Sequence, residues 1–139
     1  MREPAPVAVA LDAPDLETAA RWAALVTPHV STVKVGLELY LRYGPEVVAT
    51  VRGASRVSVF LDLKLHDIPA TVAGAARAVA RLRPDVLTVH AAGGADVIGQ
   101  AHAAQAHPAY GGPAAYGTYG TYGTRGAPGR LTRGATRWG

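Results

Sequence analysis

The chain has 139 residues, 49% of them hydrophobic, with a net charge of +4 and no cysteine. That length suffices for one ordinary domain with a buried core, and the missing cysteine excludes disulfides and thiolate metal sites. The charge is unevenly placed. Residues 1–107 carry ten basic and ten acidic residues, which cancel, and Arg125, Arg130, Arg133 and Arg137 supply the whole excess. Basicity is thus a property of the C-terminal stretch and weak evidence for nucleic-acid binding by the folded part. No apolar run approaches the ~20 residues needed to cross a membrane. The opening Met-Arg-Glu-Pro-Ala-Pro does not read as a secretory signal. The expectation is a soluble, cytoplasmic protein.

In chain order, Val7–Leu11 is a short apolar run that ends at Asp12. Pro14-Asp15 opens a helical stretch to about Val26, with Leu16, Ala19, Ala20, Ala23 and Ala24 at helical spacing. Ser31–Gly36 predicts a second strand and contains Lys34. Residues 37–52 predict helix, broken near Gly44-Pro45. Arg56–Lys64 predicts the third strand, and Ala70–Leu82 a helix stopped by Pro84. Asp85–His90 predicts a fourth strand, and Ala95 to about His107 a helix. Alternating strands and helices imply a parallel sheet. An open doubly wound sheet and a (β/α)8 barrel both fit. Asp12, Lys34, Asp62, Lys64 and His90 all fall at or near the C-terminal ends of strands, where barrel active sites are built, and this favours a partial (β/α)8 TIM barrel of about four βα units. Such a half-barrel leaves strand edges unpaired and apolar surface exposed, which invites dimerisation or aggregation.

The densest chemistry lies in Asp62-Leu-Lys-Leu-His-Asp-Ile-Pro-Ala-Thr71. Side chains at i and i+2 share one face of a strand, so Asp62 and Lys64 are expected to point the same way. Charges leaving an apolar strand are costly unless paired. Lys34 and Lys64 are the only lysines, beside twelve arginines. Pro69 suits the first turn of a helix. On residues alone, a structural ion pair at a strand end and a catalytic array remain both open. His66 is expected to pack or shape the loop. His90 is read either as supporting the site from behind or as a strand-end histidine with a satisfied hydrogen bond. Gly93-Gly94 is assigned turn geometry.

The segment from Asp62 to Thr71 resembles the signature of the orotidine 5′-monophosphate decarboxylases. The resemblance extends to Leu11-Asp12, to Val33–Leu39 and to Val89–Gly94, covering roughly residues 7–100. It implies decarboxylation of orotidine 5′-monophosphate to uridine 5′-monophosphate, with neither metal nor organic cofactor. It implies that Lys64 stabilises and protonates the carbanion at ring carbon C6, and that Asp62 sits near the departing carboxylate. Lys34 and Asp67 complete an alternating Lys–Asp–Lys–Asp array. Asp12 and Lys34 would bind the ribose, and Ile68 and Pro69 would shape the loop. Asp67 and Thr71 would reach the site of a neighbouring subunit in a homodimer. Residues for gripping phosphate or reading the pyrimidine are not identifiable, so the chain by itself is expected to be inactive or very weak. Two alternatives stand beside this reading. One is a related sugar-phosphate enzyme of the hexulose-phosphate synthase or keto-gulonate-phosphate decarboxylase type, with magnesium. The other is a non-catalytic half-barrel remnant or a binder acting through its tail.

Residues 108–139 differ in kind. They hold nine of the sixteen glycines and four of the six tyrosines, with a Tyr-Gly-Thr triplet repeated from Tyr116 to Thr124. Such a stretch cannot bury a core and is read as a disordered tail. Two further readings are a basic aromatic segment that contacts nucleic acid, and a frameshifted, truncated or misread coding sequence.

Overall fold

A computed structural model of the chain describes residues 3–53, 57–105 and 115–119, the last by backbone alone. The chain divides into two compact units, residues 1–63 and 64–139.

The first unit runs β1 (Ala5–Ala10), α1 (Leu16–Val26), β2 (Val30–Gly36), α2 (Leu37–Tyr43), α3 (Pro45–Gly53) and most of β3 (Ser58–Leu65). β1 pairs in parallel with β2, and β2 with β3. The helix signals act where the sequence puts them. Asp15 caps α1, its Oδ1 accepting the Thr18 backbone N–H at 2.7 Å. This hydrogen bond, with one from the Thr18 hydroxyl, holds the Asp15 carboxyl below its ordinary range. Gly44 takes φ +60, which lets its N–H close on the Tyr40 carbonyl and end α2 before Pro45 starts α3. Alternate strand positions Val33, Val35, Val59 and Leu61 are buried against Ala19 and Ala23 of α1 and Val47, Val48 and Val51 of α3 in one apolar core. Full burial of each Val or Leu is worth about 1.5–3 kcal/mol.

The second unit holds the last two residues of β3, then α4 (Pro69–Ala80), β4 (Val86–His90), a 3-10 turn (Ala91–Gly93), α5 (Gly94–Gln105) and β5 (Ala115–Tyr119). Pro69 occupies the first turn of α4, after Ile68 in extended conformation. α4 and α5 pack together through Val72, Ala73, Ala76, Val97, Ala101 and Ala104. Gln105, buried in the last turn of α5, donates from Nε2 to the Ala76 carbonyl at 3.1 Å. Gly94 has φ +85, and a Cβ at Gly93 would meet Val97 Cγ2 at 2.9 Å, so the glycine pair serves the turn as expected.

The described elements follow the predicted alternation closely, with one addition. Within the stretch expected to lack structure, residues 115–119 form β5, parallel to β4 in the register Val86↔Ala115 to His90↔Tyr119. Threonine and tyrosine favour extended backbone, and a parallel ladder needs only main-chain groups. The expectations for 108–114 and 120–139, and for Arg56 in the third strand, lie outside the described residues. Among the described residues, no helix is long and apolar enough to cross a membrane.

Candidate active site

In the first unit the parallel register gathers three strand ends. Ala10 of β1 lies opposite Lys34 of β2, and Gly36 of β2 lies opposite Asp62 of β3. The Leu11 N–H donates to the Lys34 carbonyl at 2.9 Å, which places Asp12 just past the sheet. Lys34 Nζ then reaches Asp62 Oδ2 at 3.1 Å. The Asp62 side chain is 3% exposed and that of Lys34 24%. Two unit charges ~4 Å apart attract by about 4 kcal/mol at an effective dielectric of ~20, which offsets part of the cost of burying Asp62. A Cβ on Gly36 would stand 3.3 Å from Asp12 Oδ1 and 3.9 Å from Lys34 Nζ. The bare backbone at Gly36 thus leaves room for a carboxylate and an ammonium side by side. Asp12, Lys34 and Asp62 are brought together as the sequence implies, with Asp12 exposed toward solvent.

In the second unit Lys64 departs from the expectation. The reading that Asp62 and Lys64 share a strand face assumes extended backbone at both. Lys64 instead has φ +51, in the left-handed region. For a residue with a Cβ this conformation costs about 1–2 kcal/mol. Lys64 remains within β3, which runs to Leu65, and is exposed where Asp62 is buried. The Lys64 N–H donates to the Thr88 hydroxyl at 2.9 Å, and Thr88 is completely buried in β4. Two residues on, the His66 ring stacks on the His90 ring, with centroids 4.8 Å apart and planes 19° apart. His66 therefore packs, as expected. Among the described residues, His90 Nδ1 is buried with no hydrogen-bond partner, which does not match the reading of a satisfied strand-end histidine.

Asp67, Ile68, Pro69 and Thr71 form the turn into α4. Asp67 Oδ1 accepts the Ile68 N–H at 2.6 Å, and the Ile68 carbonyl accepts the N–H groups of Thr71 and Val72 at 3.0 and 3.1 Å. Asp67 and Thr71 are exposed, and Ile68 is 66% exposed despite its apolar side chain. Thr88 was not among the residues expected at the site. Its signal is a hydroxyl inside the apolar run Val86-Leu-Thr-Val, which burial obliges to find a partner.

Parallel βα units that deliver lysines and carboxylates to the ends of their strands define an α/β enzyme of the barrel class. Comparison with known proteins narrows the class. The chain belongs to the Orotidine 5′-phosphate decarboxylase / HUMPS family, whose model matches residues 5–117. It is 78% identical over 94 residues to the orotidine 5′-phosphate decarboxylase of Thermobifida fusca (strain YX), a match covering 68% of this chain and 40% of that protein. The enzyme of the same name from Frankia casuarinae is 52% identical over 111 residues, covering 68% of this chain and 40% of that one. Among solved structures, orotidine 5′-monophosphate decarboxylase from Methanocaldococcus jannaschii, complexed with the inhibitor BMP, aligns with a TM-score of 0.73 at 26% identity. That alignment covers 84% of this chain and 52% of the other. An uncharacterized conserved protein from Geobacillus kaustophilus aligns with a TM-score of 0.69 at 38% identity, covering 81% and 53%. The fold is thus that of part of a (β/α)8 barrel. The chain spans about 40% of the length of these curated relatives.

Proposed function

We propose that the chain carries the charged catalytic core of an orotidine 5′-monophosphate decarboxylase. The observation that supports this most is the buried Asp62 carboxylate, paired at 3.1 Å with Lys34, two residues before a lysine in a strained backbone conformation. Strain of that kind is retained where function requires it. In the reaction, the bond between C6 and the carboxylate carbon breaks, carbon dioxide leaves, and the electron pair remains on C6. The Lys64 ammonium stabilises that pair and donates a proton to it, giving uridine 5′-monophosphate and a neutral amine that solvent reprotonates. Asp62 holds its charge near the departing carboxylate, and Lys34 keeps Asp62 ionised and oriented. Asp12 and Lys34 bind the ribose. Ile68 and Pro69 set the path of the loop, and Asp67 and Thr71 serve the site of a second copy in a homodimer. No metal or organic cofactor enters these steps. The enzyme works in the cytoplasm.

The test is a graft. Residues 7–100 of this chain replace the matching segment of the 78%-identical relative. Decarboxylation of orotidine 5′-monophosphate is then measured alongside binding of BMP, the inhibitor held by the Methanocaldococcus jannaschii protein. Full turnover, lost on Lys64→Ala while BMP still binds, is the expected result. A graft that folds and binds BMP but does not decarboxylate would sink the assignment. Mixing the Lys64→Ala and Asp67→Ala grafts tests the shared site, since one intact site per mixed dimer should restore part of the activity.

A further inference from the structure

Two polar residues of β4 have no part in that reaction, yet both engage the end of β3. We propose that Thr88 and His90 are positioning residues, forming a two-rung clasp that sets the backbone of Lys64 and of the turn carrying Asp67. The rungs are spaced alike along the two segments. Thr88 takes the Lys64 N–H at 2.9 Å, and two residues later on both strands His90 stacks on His66 at 4.8 Å. The first rung bears on the residue with φ +51. A left-handed lysine persists only where its surroundings over-determine it. A fully buried hydroxyl aimed at its amide supplies that constraint. The second rung lies just before Asp67. The stack bears on His66 and, through it, on the start of the turn.

The catalytic meaning of the clasp rests on the decarboxylase reading, but its test does not. Hydrogen exchange of the backbone amides reads the Lys64 N–H directly, with the Lys34 amide as an internal standard. In the full chain, the Lys64 amide of Thr88→Val should exchange about two- to tenfold faster than in the parent, the factor equivalent to one net hydrogen bond, with Lys34 unchanged. Thr88→Ser, which keeps the hydroxyl, should return the parent rate. His66→Ala should raise the Lys64 rate by a smaller factor. An unchanged Lys64 rate in Thr88→Val, an equal change at Lys34, or failure of Thr88→Ser to restore the rate would each overturn the clasp. If Thr88→Val does not fold, amide exchange in the parent decides, because a Lys64 amide no better protected than that of His66 removes the first rung. In the graft, Thr88→Val should lower kcat with KM unchanged. Exchange that responds while kcat does not would leave the clasp standing and overturn its link to catalysis.

Discussion

The two lysines are held in opposite ways. Lys34 sits in an ordinary strand and is fixed through its side chain, by an ion pair to a carboxylate that is almost wholly buried. Lys64 is fixed through its backbone, in a strained conformation pinned by a buried hydroxyl, and its side chain is exposed. The first arrangement ties the charge to the stability of the fold. The second fixes the main chain at Lys64 and leaves the side chain exposed. The proton-donor role proposed for Lys64 suits the second arrangement, and the orienting role proposed for Lys34 suits the first.

Substitutions can break this contrast. The largest expected effect is on turnover: Lys64→Ala in the graft should lower kcat by about 10²–10³-fold or more, the scale of removing one group aimed at developing charge. Its melting temperature should barely move, and a large drop would erase the distinction between the lysines. Lys34→Met should do the reverse in the chain itself, lowering unfolding free energy in urea by about 2–3 kcal/mol, since a nearly buried carboxylate gives up a cation that offsets its burial. A neutral result there would show that the ion pair contributes nothing net. Lys64→Gly should be about 1 kcal/mol more stable than Lys64→Ala, because glycine takes φ +51 without a Cβ clash. Equal stabilities would mean that the strain is not real. The smallest effect is a control remote from both lysines. Asp15→Ala should melt slightly lower at pH 7. The Asp15 carboxyl is depressed in the folded state, so its contribution is present above the ordinary carboxylate value and fades as pH falls through the folded one. The gap between parent and variant in thermal melts should therefore close in acid.

The sequence makes the alternation of elements legible because its punctuation is strong. Asp15, Gly44-Pro45, Pro69 and Pro84 each mark a boundary that propensity alone would blur. The Lys34–Asp62 pair is legible in kind, since an acid in an apolar strand demands a partner, and the resemblance supplied which one. The conformation of Lys64 is not legible. Reading alternate faces presupposes extended backbone, and nothing in Leu-Lys-Leu announces a left-handed residue. Thr88 was hidden for a related reason: threonine is at home in strands, so a hydroxyl with a task looks like one without. β5 was hidden by Gly117 and the glycines flanking it in sequence, which argue against a strand locally while a neighbouring ladder favours one.

The pairing pattern also bears on how the molecule comes into being. β1 with β2, β2 with β3 and β4 with β5 each join neighbours in the sequence. Partners lie roughly 25–30 residues apart, a short loop to close for a parallel sheet. Pairing between sequence neighbours lets each partner be available soon after the strand it joins is made. The ion pair between Lys34 and Asp62 closes as soon as β3 docks, whereas the tether on Lys64 waits for β4. In the order of synthesis, both members of the Lys34–Asp62 pair precede Thr88, which tethers the lysine proposed to do the chemistry.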